Sequence, residues 1–156
     1  HPYPENLFEP RSWLDRSALP NPDSPRVTFK NLQVLRDTLR RPELLWNGHA
    51  RSIILSEQGF HAADGEAGEL NQAAGFVHAW NQVESLDGID AFILHRHVDH
   101  EREGGLNLGL WTRKPGSIAD PDRRRRIYDV FRAAGTPAQA AAFSFAQPLM
   151  DAGPRP

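Results

Sequence analysis

The chain has 156 residues, 39% of them hydrophobic and 24% charged, with a formal net charge of −2. That is the make-up of one ordinary globular domain; the near-neutral charge argues against a nucleic-acid or anionic-membrane partner, and no apolar run approaches the roughly 18 residues that span a bilayer. The absence of cysteine excludes disulfides, thiolate catalysis and cysteine-based zinc sites and leaves the compartment open.

The chain begins on His1 rather than Met, carries one methionine, Met150, and shows no charged or apolar leader segment. It therefore reads as a processed chain or as a piece of a longer one. His1-Pro-Tyr-Pro-Glu-Asn-Leu-Phe is followed by a proline-rich polar stretch to Pro25, expected as a long loop. Thr28 can cap a helix carrying Leu32, Leu35 and Leu39 at helical spacing, which Pro42 ends. The β-branched run Ser52–Ser56 is a strand, and it delivers Glu57, Gln58 and Gly59 at its carboxyl end, where α/β folds place chemistry. A strand that simply emerges into solvent ends in the same residue types.

Asp64-Gly65 leads into a long helix with an apolar stripe of Leu70, Ala73, Ala74, Val77 and Trp80, closed by Asp87-Gly88. A second, almost continuously apolar strand is expected over Ile89–His95. The glycine-rich loop Gly104–Gly109 satisfies no nucleotide-binding fingerprint, because no helix opens on it and no Lys-Ser/Thr follows. Asp120 and Pro121 predict the cap and first turn of a last helix, with Ile127, Val130, Phe131 and Ala134 on its buried face and Arg123–Arg126 on a solvated one. An irregular tail is expected over residues 141–156, disordered in its last residues.

The alternation of helix and strand predicts an α/β fold with a parallel sheet and crossover helices, and both strands read as buried on both faces. Two parallel strands cannot complete such a sheet, so further strands are expected from residues upstream of His1.

His1-Pro-Tyr-Pro resembles the end of the sixth strand, and Ile54-Leu-Ser-Glu-Gln-Gly59 the end of the seventh, in the (β/α)₈ retaining glycoside hydrolases whose nucleophile is a glutamate closing that seventh strand. In detail the chain is most similar, over most of residues 1–131, to a little-characterised bacterial glycosidase-like family. The resemblance implies the last third of a TIM barrel that usually needs about 250 residues, with residues 1–140 inside it. It implies O-glycosyl hydrolysis with retention on an oligo- or polysaccharide, no cofactor, and an exported, secreted or periplasmic location. The missing N-terminal part of the same barrel is the implied partner.

Such chemistry needs a nucleophilic carboxylate and a second, protonated one about 5 Å away. Glu57 matches the nucleophile, and since Ile53, Leu55 and Glu57 share one parity, a barrel-facing Leu55 would carry Glu57 onto the barrel mouth. The acid/base of these enzymes sits on the fourth strand, outside this chain; Glu5, Asp99 and Glu101 are carboxylates on the correct side but match no acid/base motif. The chain alone is then expected to be inactive. His1 and Tyr3 fall where a His or Tyr hydrogen-bonds the nucleophile and keeps it ionised, or are loop residues between prolines. Gln58 and His61 are sugar-contact or rim residues. His95, His97 and Asp99, within His95-Arg-His-Val-Asp-His100, can converge at the same mouth to orient a polyol, to bind a divalent ion or to form a structural network. Many of the resembled enzymes carry a tryptophan platform at the end of the eighth strand; here Trp111 supplies one or is packed in the core, and Asn107 reaches substrate from a mobile loop. A metal-dependent hydrolase and a non-catalytic carbohydrate-binding barrel are the alternatives.

Overall fold

The computed structural model describes residues 1–152, and the Gly153–Pro156 end of the expected disordered tail lies outside them. The chain is a mixed α/β protein. Strand β1 (Ile53–Gln58) pairs in parallel with β2 (Ile89–Leu94), and helix α2 (Glu66–Ser85) connects them. Ahead of β1, the Thr28 hydroxyl accepts from Lys30 N–H and the Asn31 side-chain oxygen accepts from Thr28 N–H in a 3₁₀ turn that runs into α1 (Leu32–Leu39). The expected order of helix and strand is therefore present. None of the helices is long and apolar enough to cross a membrane among the described residues.

The core lies on one side of the β1–β2 pair. Phe76 of α2 is at its centre, ringed by Phe60, Trp80, Phe92, Phe131 and Phe143 at centroid distances of 5.7–6.5 Å. Ile53 and Leu55 point into this layer, whereas Ile54 is 58% and Ile93 52% exposed on the opposite face. The expectation that both strands are buried on both faces is therefore corrected. Helices cover only one face, and the other stays open.

Three further expectations change. The segment after the glycine-rich loop is an antiparallel pair, β3 (Trp111–Arg113) and β4 (Pro121–Arg124), so Asp120-Pro121 opens an edge strand rather than a helix. Proline is tolerated there because the first residue of an exposed edge needs no N–H. Helix α3 begins only at Arg126 and ends at Ala133, burying Ile127, Val130 and Ala133. Arg123–Arg126 is consequently not one solvated face: Arg123 pairs with Glu69, Arg124 lies over Trp111 and Tyr128, and Arg125 is buried. Finally, residues 141–152 are not irregular. Helices α4 (Gln139–Phe143) and α5 (Gln147–Asp151) form, because Phe143 and Ala146 reach the core.

Candidate functional site

The carboxyl end of β1 is shaped by a bulge. From Leu55 to Gln58 the strand advances three residues while its partner advances two, Phe92 to Leu94. The extra residue inverts the side-chain alternation. Leu55 faces the helices, not a barrel interior, so parity alone would have carried Glu57 into the aromatic core. With the bulge, the fully buried side chain is Gln58, and Glu57 emerges half-exposed beside Ser56.

Two residues of the first segment meet it. Pro2 and Pro4 are buried and fix that segment against the domain. The Tyr3 hydroxyl donates to Glu57 Oε1 at 3.1 Å, and His1 Nδ1 lies 3.9 Å from the same oxygen while Nε2 is 3.2 Å from Ser56 Oγ. Burial, and then the Glu57 carboxylate as acceptor, push the Tyr3 phenol well above its ordinary range. Tyr3 therefore keeps its proton and is a standing hydrogen-bond donor to Glu57.

The loop after β2 closes the other side. His95 N–H donates to Gln58 O at 2.8 Å, and a Cβ on Gly59 would stand 2.3 Å from His95 O. Only glycine allows that approach. Glu103 pairs with Arg96 at 3.0 Å and with His95 Nε2 at 3.4 Å, and the charges of Glu103 and Arg96 both reach Tyr3. His1, Tyr3, Ser56, Glu57, His95, Arg96 and Glu103 thus form one half-exposed cluster. No sequence signal marks Ser56, Arg96 or Glu103 as members of it; Arg96 and Glu103 differ in no visible way from the charged residues around them.

Several expected site residues serve elsewhere. The Gln58 amide donates to Leu55 O and Ile93 O inside the protein, so it touches no solvent. Asp99 is buried, accepting from Arg125 Nη1 at 2.6 Å and from Gly109 N–H at 2.8 Å. Burial pushes its carboxyl up against the opposing pull of Arg125 and Gly109. His61 is buried, its Nδ1 accepting from Asn107 N–H at 3.0 Å, and burial pushes its pKa down. Asn107 spends its side-chain amide on Ala62 O at 3.1 Å, so it ties the glycine-rich loop down instead of reaching outward. His97 is exposed, and its carbonyl holds Trp111 N–H.

Trp111 is no open platform: Tyr128 meets it edge-on at 5.7 Å and the Arg124 guanidinium covers it at 5.1 Å. Glu5 accepts from the Ser17 hydroxyl and from the Ser17 and Arg16 N–H groups, which hold its carboxyl down to about 2. That leaves no proton for it to donate as an acid near neutrality. Glu101 is exposed in the turn beyond Asp99. His95, His97 and Asp99 therefore do not converge, and no group of three His, Asp or Glu among the described residues is placed to hold a metal ion.

Fold and cluster together define an α/β protein presenting a hydrogen-bonded glutamate at the carboxyl end of a parallel strand. The chain belongs to the family of unknown function DUF5722, which it matches over residues 1–153. No curated protein and no solved structure matches it.

Proposed function

We propose that the protein is a retaining glycoside hydrolase acting on an oligo- or polysaccharide, with Glu57 as nucleophile and this chain as the C-terminal part of a (β/α)₈ barrel. The observation that carries the reading is the bulge-turned Glu57 with the Tyr3 hydroxyl 3.1 Å from one of its oxygens. That bond fixes Oε1 and leaves Oε2 as the attacking atom. Attack forms the anomeric carbon–Oε2 bond as the glycosidic carbon–oxygen bond breaks. A carboxylic acid supplied from outside these 156 residues protonates the departing oxygen, and water then displaces Glu57.

The open face of β1 and β2 also supports the barrel. Ile54 and Ile93 are each more than half exposed, and covering the exposed part of such side chains with neighbouring strands is worth about 0.8–1.7 kcal/mol apiece. The metal-dependent alternative is not favoured, because Asp99 is committed to Arg125 and Gly109.

The test uses the intact protein with a panel of 4-nitrophenyl glycosides, followed by trapping with the matching 2-deoxy-2-fluoroglycoside and peptide mapping. The expected label is on Glu57, and Glu57→Gln should lower turnover by about 10⁴-fold or more. Near-normal turnover by that variant would sink the assignment. Oligosaccharide binding by wild type without turnover would point instead to a non-catalytic carbohydrate-binding barrel.

A further inference from the structure

Around Glu57 the Tyr3 hydroxyl is spent on the carboxylate, and Trp111 lies beneath Arg124 and against Tyr128. Another aromatic is presented beside the segments that follow β1 and β2. Phe8 is 54% exposed and stands five positions after Tyr3, on the segment that brings His1 and Tyr3 to Glu57. Its backbone is fixed by Asn6, whose side-chain oxygen accepts from Phe8 N–H and whose carbonyl accepts from Glu9 N–H, each at 3.0 Å. Glu9 is in turn gripped by Arg11 through two 2.6 Å bonds.

The ring has fixed neighbours on both sides. It meets His61, four residues past Glu57, at 5.1 Å between centroids and 70° between planes. A Cβ on Gly105, two residues past Glu103, would lie 3.9 Å from its Cε1. Phe8 is thus bordered by the two segments that leave the Glu57 and Glu103 positions, with a face left to solvent. Its exposure alone would mean nothing. Its fixed placement between the segments beyond the carboxyl ends of β1 and β2 is what calls for a ligand.

Resting on the glycosidase reading, we infer that Phe8 is a stacking platform for a sugar ring of a chain-like substrate, at a subsite removed from the one where Glu57 attacks. A pyranose presents a face of C–H groups that packs on an aromatic ring while its hydroxyls stay wet. A rigid ring with one open face and polar neighbours suits that ligand. The substrate class follows: an oligo- or polysaccharide long enough to reach from Glu57 to Phe8, not a short glycoside.

The test measures binding by isothermal titration to the intact Glu57→Gln protein, which leaves the glycans uncut. The probes are the linear disaccharides and hexasaccharides of β-1,3-glucan, β-1,4-glucan, α-1,4-glucan and β-1,4-mannan. Phe8→Ala should weaken the bound hexasaccharide about tenfold, with a loss that grows from disaccharide to hexasaccharide, and Phe8→Trp should restore it. Trp46→Ala, which removes an even more exposed aromatic on the segment ahead of β1, should change nothing.

An unchanged hexasaccharide affinity in Phe8→Ala overturns the inference and makes Phe8 a protein contact, as does an equal loss for both lengths. Binding of none of these glycans also overturns it. Cleavage of the hexasaccharides by wild type keeps the two questions apart: Glu57-dependent cleavage with an indifferent Phe8→Ala refutes the platform alone, and its absence refutes the glycosidase reading itself.

Discussion

Removing the Asp99 carboxylate should damage stability, and the size of the loss follows from its surroundings. The side chains of Asp99 and Arg125 are 6% and 8% exposed. Asp99→Ala leaves the buried guanidinium with only the Glu69 carboxylate, 3.9 Å from its Nε, and the Gly109 N–H without an acceptor. Breaking a buried pair from one side costs about 3–5 kcal/mol, which for a domain of this size is roughly 6–20 °C in thermal midpoint. Asp99→Asn keeps an oxygen for Gly109 and should lose about half as much. Arg125→Met strands the carboxylate instead. Asp99, already pushed up by burial, then loses the cation that opposes that shift. A carboxyl whose folded pKa exceeds its unfolded one stabilises most at low pH, so this variant should gain on wild type as pH falls from 7.5 to 5. Replacing both, Asp99→Leu with Arg125→Met, should cost less than the two single changes summed. The assay is thermal denaturation followed by far-ultraviolet circular dichroism. A midpoint unmoved in Asp99→Ala, together with lost oligosaccharide binding, would refute the structural role and return Asp99 to the substrate.

Gly59→Ala should lower stability by about 1–3 kcal/mol by forcing His95 O away from the end of β1, read from the urea midpoint at unchanged slope. His78 is buried with its Nδ1 on the Ser12 hydroxyl at 3.0 Å, and burial holds its pKa at about 4. Because the folded value lies below the unfolded one, its contribution is complete above about pH 6.5 and is lost as pH falls toward 4. The loss is about 2 kcal/mol at pH 5 and about 3 kcal/mol near pH 3; His78→Gln should flatten this slope in a pH series of urea melts. Tyr3→Phe removes the donor to Glu57 and should slow trapping by the 2-fluoroglycoside about 10- to 100-fold, with the thermal midpoint within about 3 °C of wild type.

The parts of the fold legible in the sequence are those where hydrophobic pattern decides. The apolar runs of β1 and β2 and the stripe on α2 select their own structure. The β3–β4 pair is three and four residues long and rich in arginine, and Asp120-Pro121 imitates a helix start. What decides there is tertiary: Arg125, just past β4, must reach the buried Asp99. No local signal carries that contact. The same holds for Phe143 and Ala146, whose places in the core set α4 and the turn before α5 against the expectation of an irregular tail.

At the site, Glu57, Tyr3 and His1 lie together, by a route that alternation could not foresee. In a regular strand Leu55 and Glu57 share a side, and Leu55 is in the core. Continued without interruption, β1 would have pushed a carboxylate in among Phe60, Phe76 and Phe92. Burying an ionised carboxylate unpaired costs far more than burying an amide that can bond to the backbone. Gln58 supplies such an amide, donating to Leu55 O and Ile93 O at the cost of an unpartnered Oε1. The bulge between Leu55 and Gln58 is therefore the arrangement in which the neutral residue goes inside and the charged one goes out. No glycine or proline marks it within Ile53–Gln58. It arises from the contrast between two adjacent side chains, Glu57 and Gln58, facing an aromatic core.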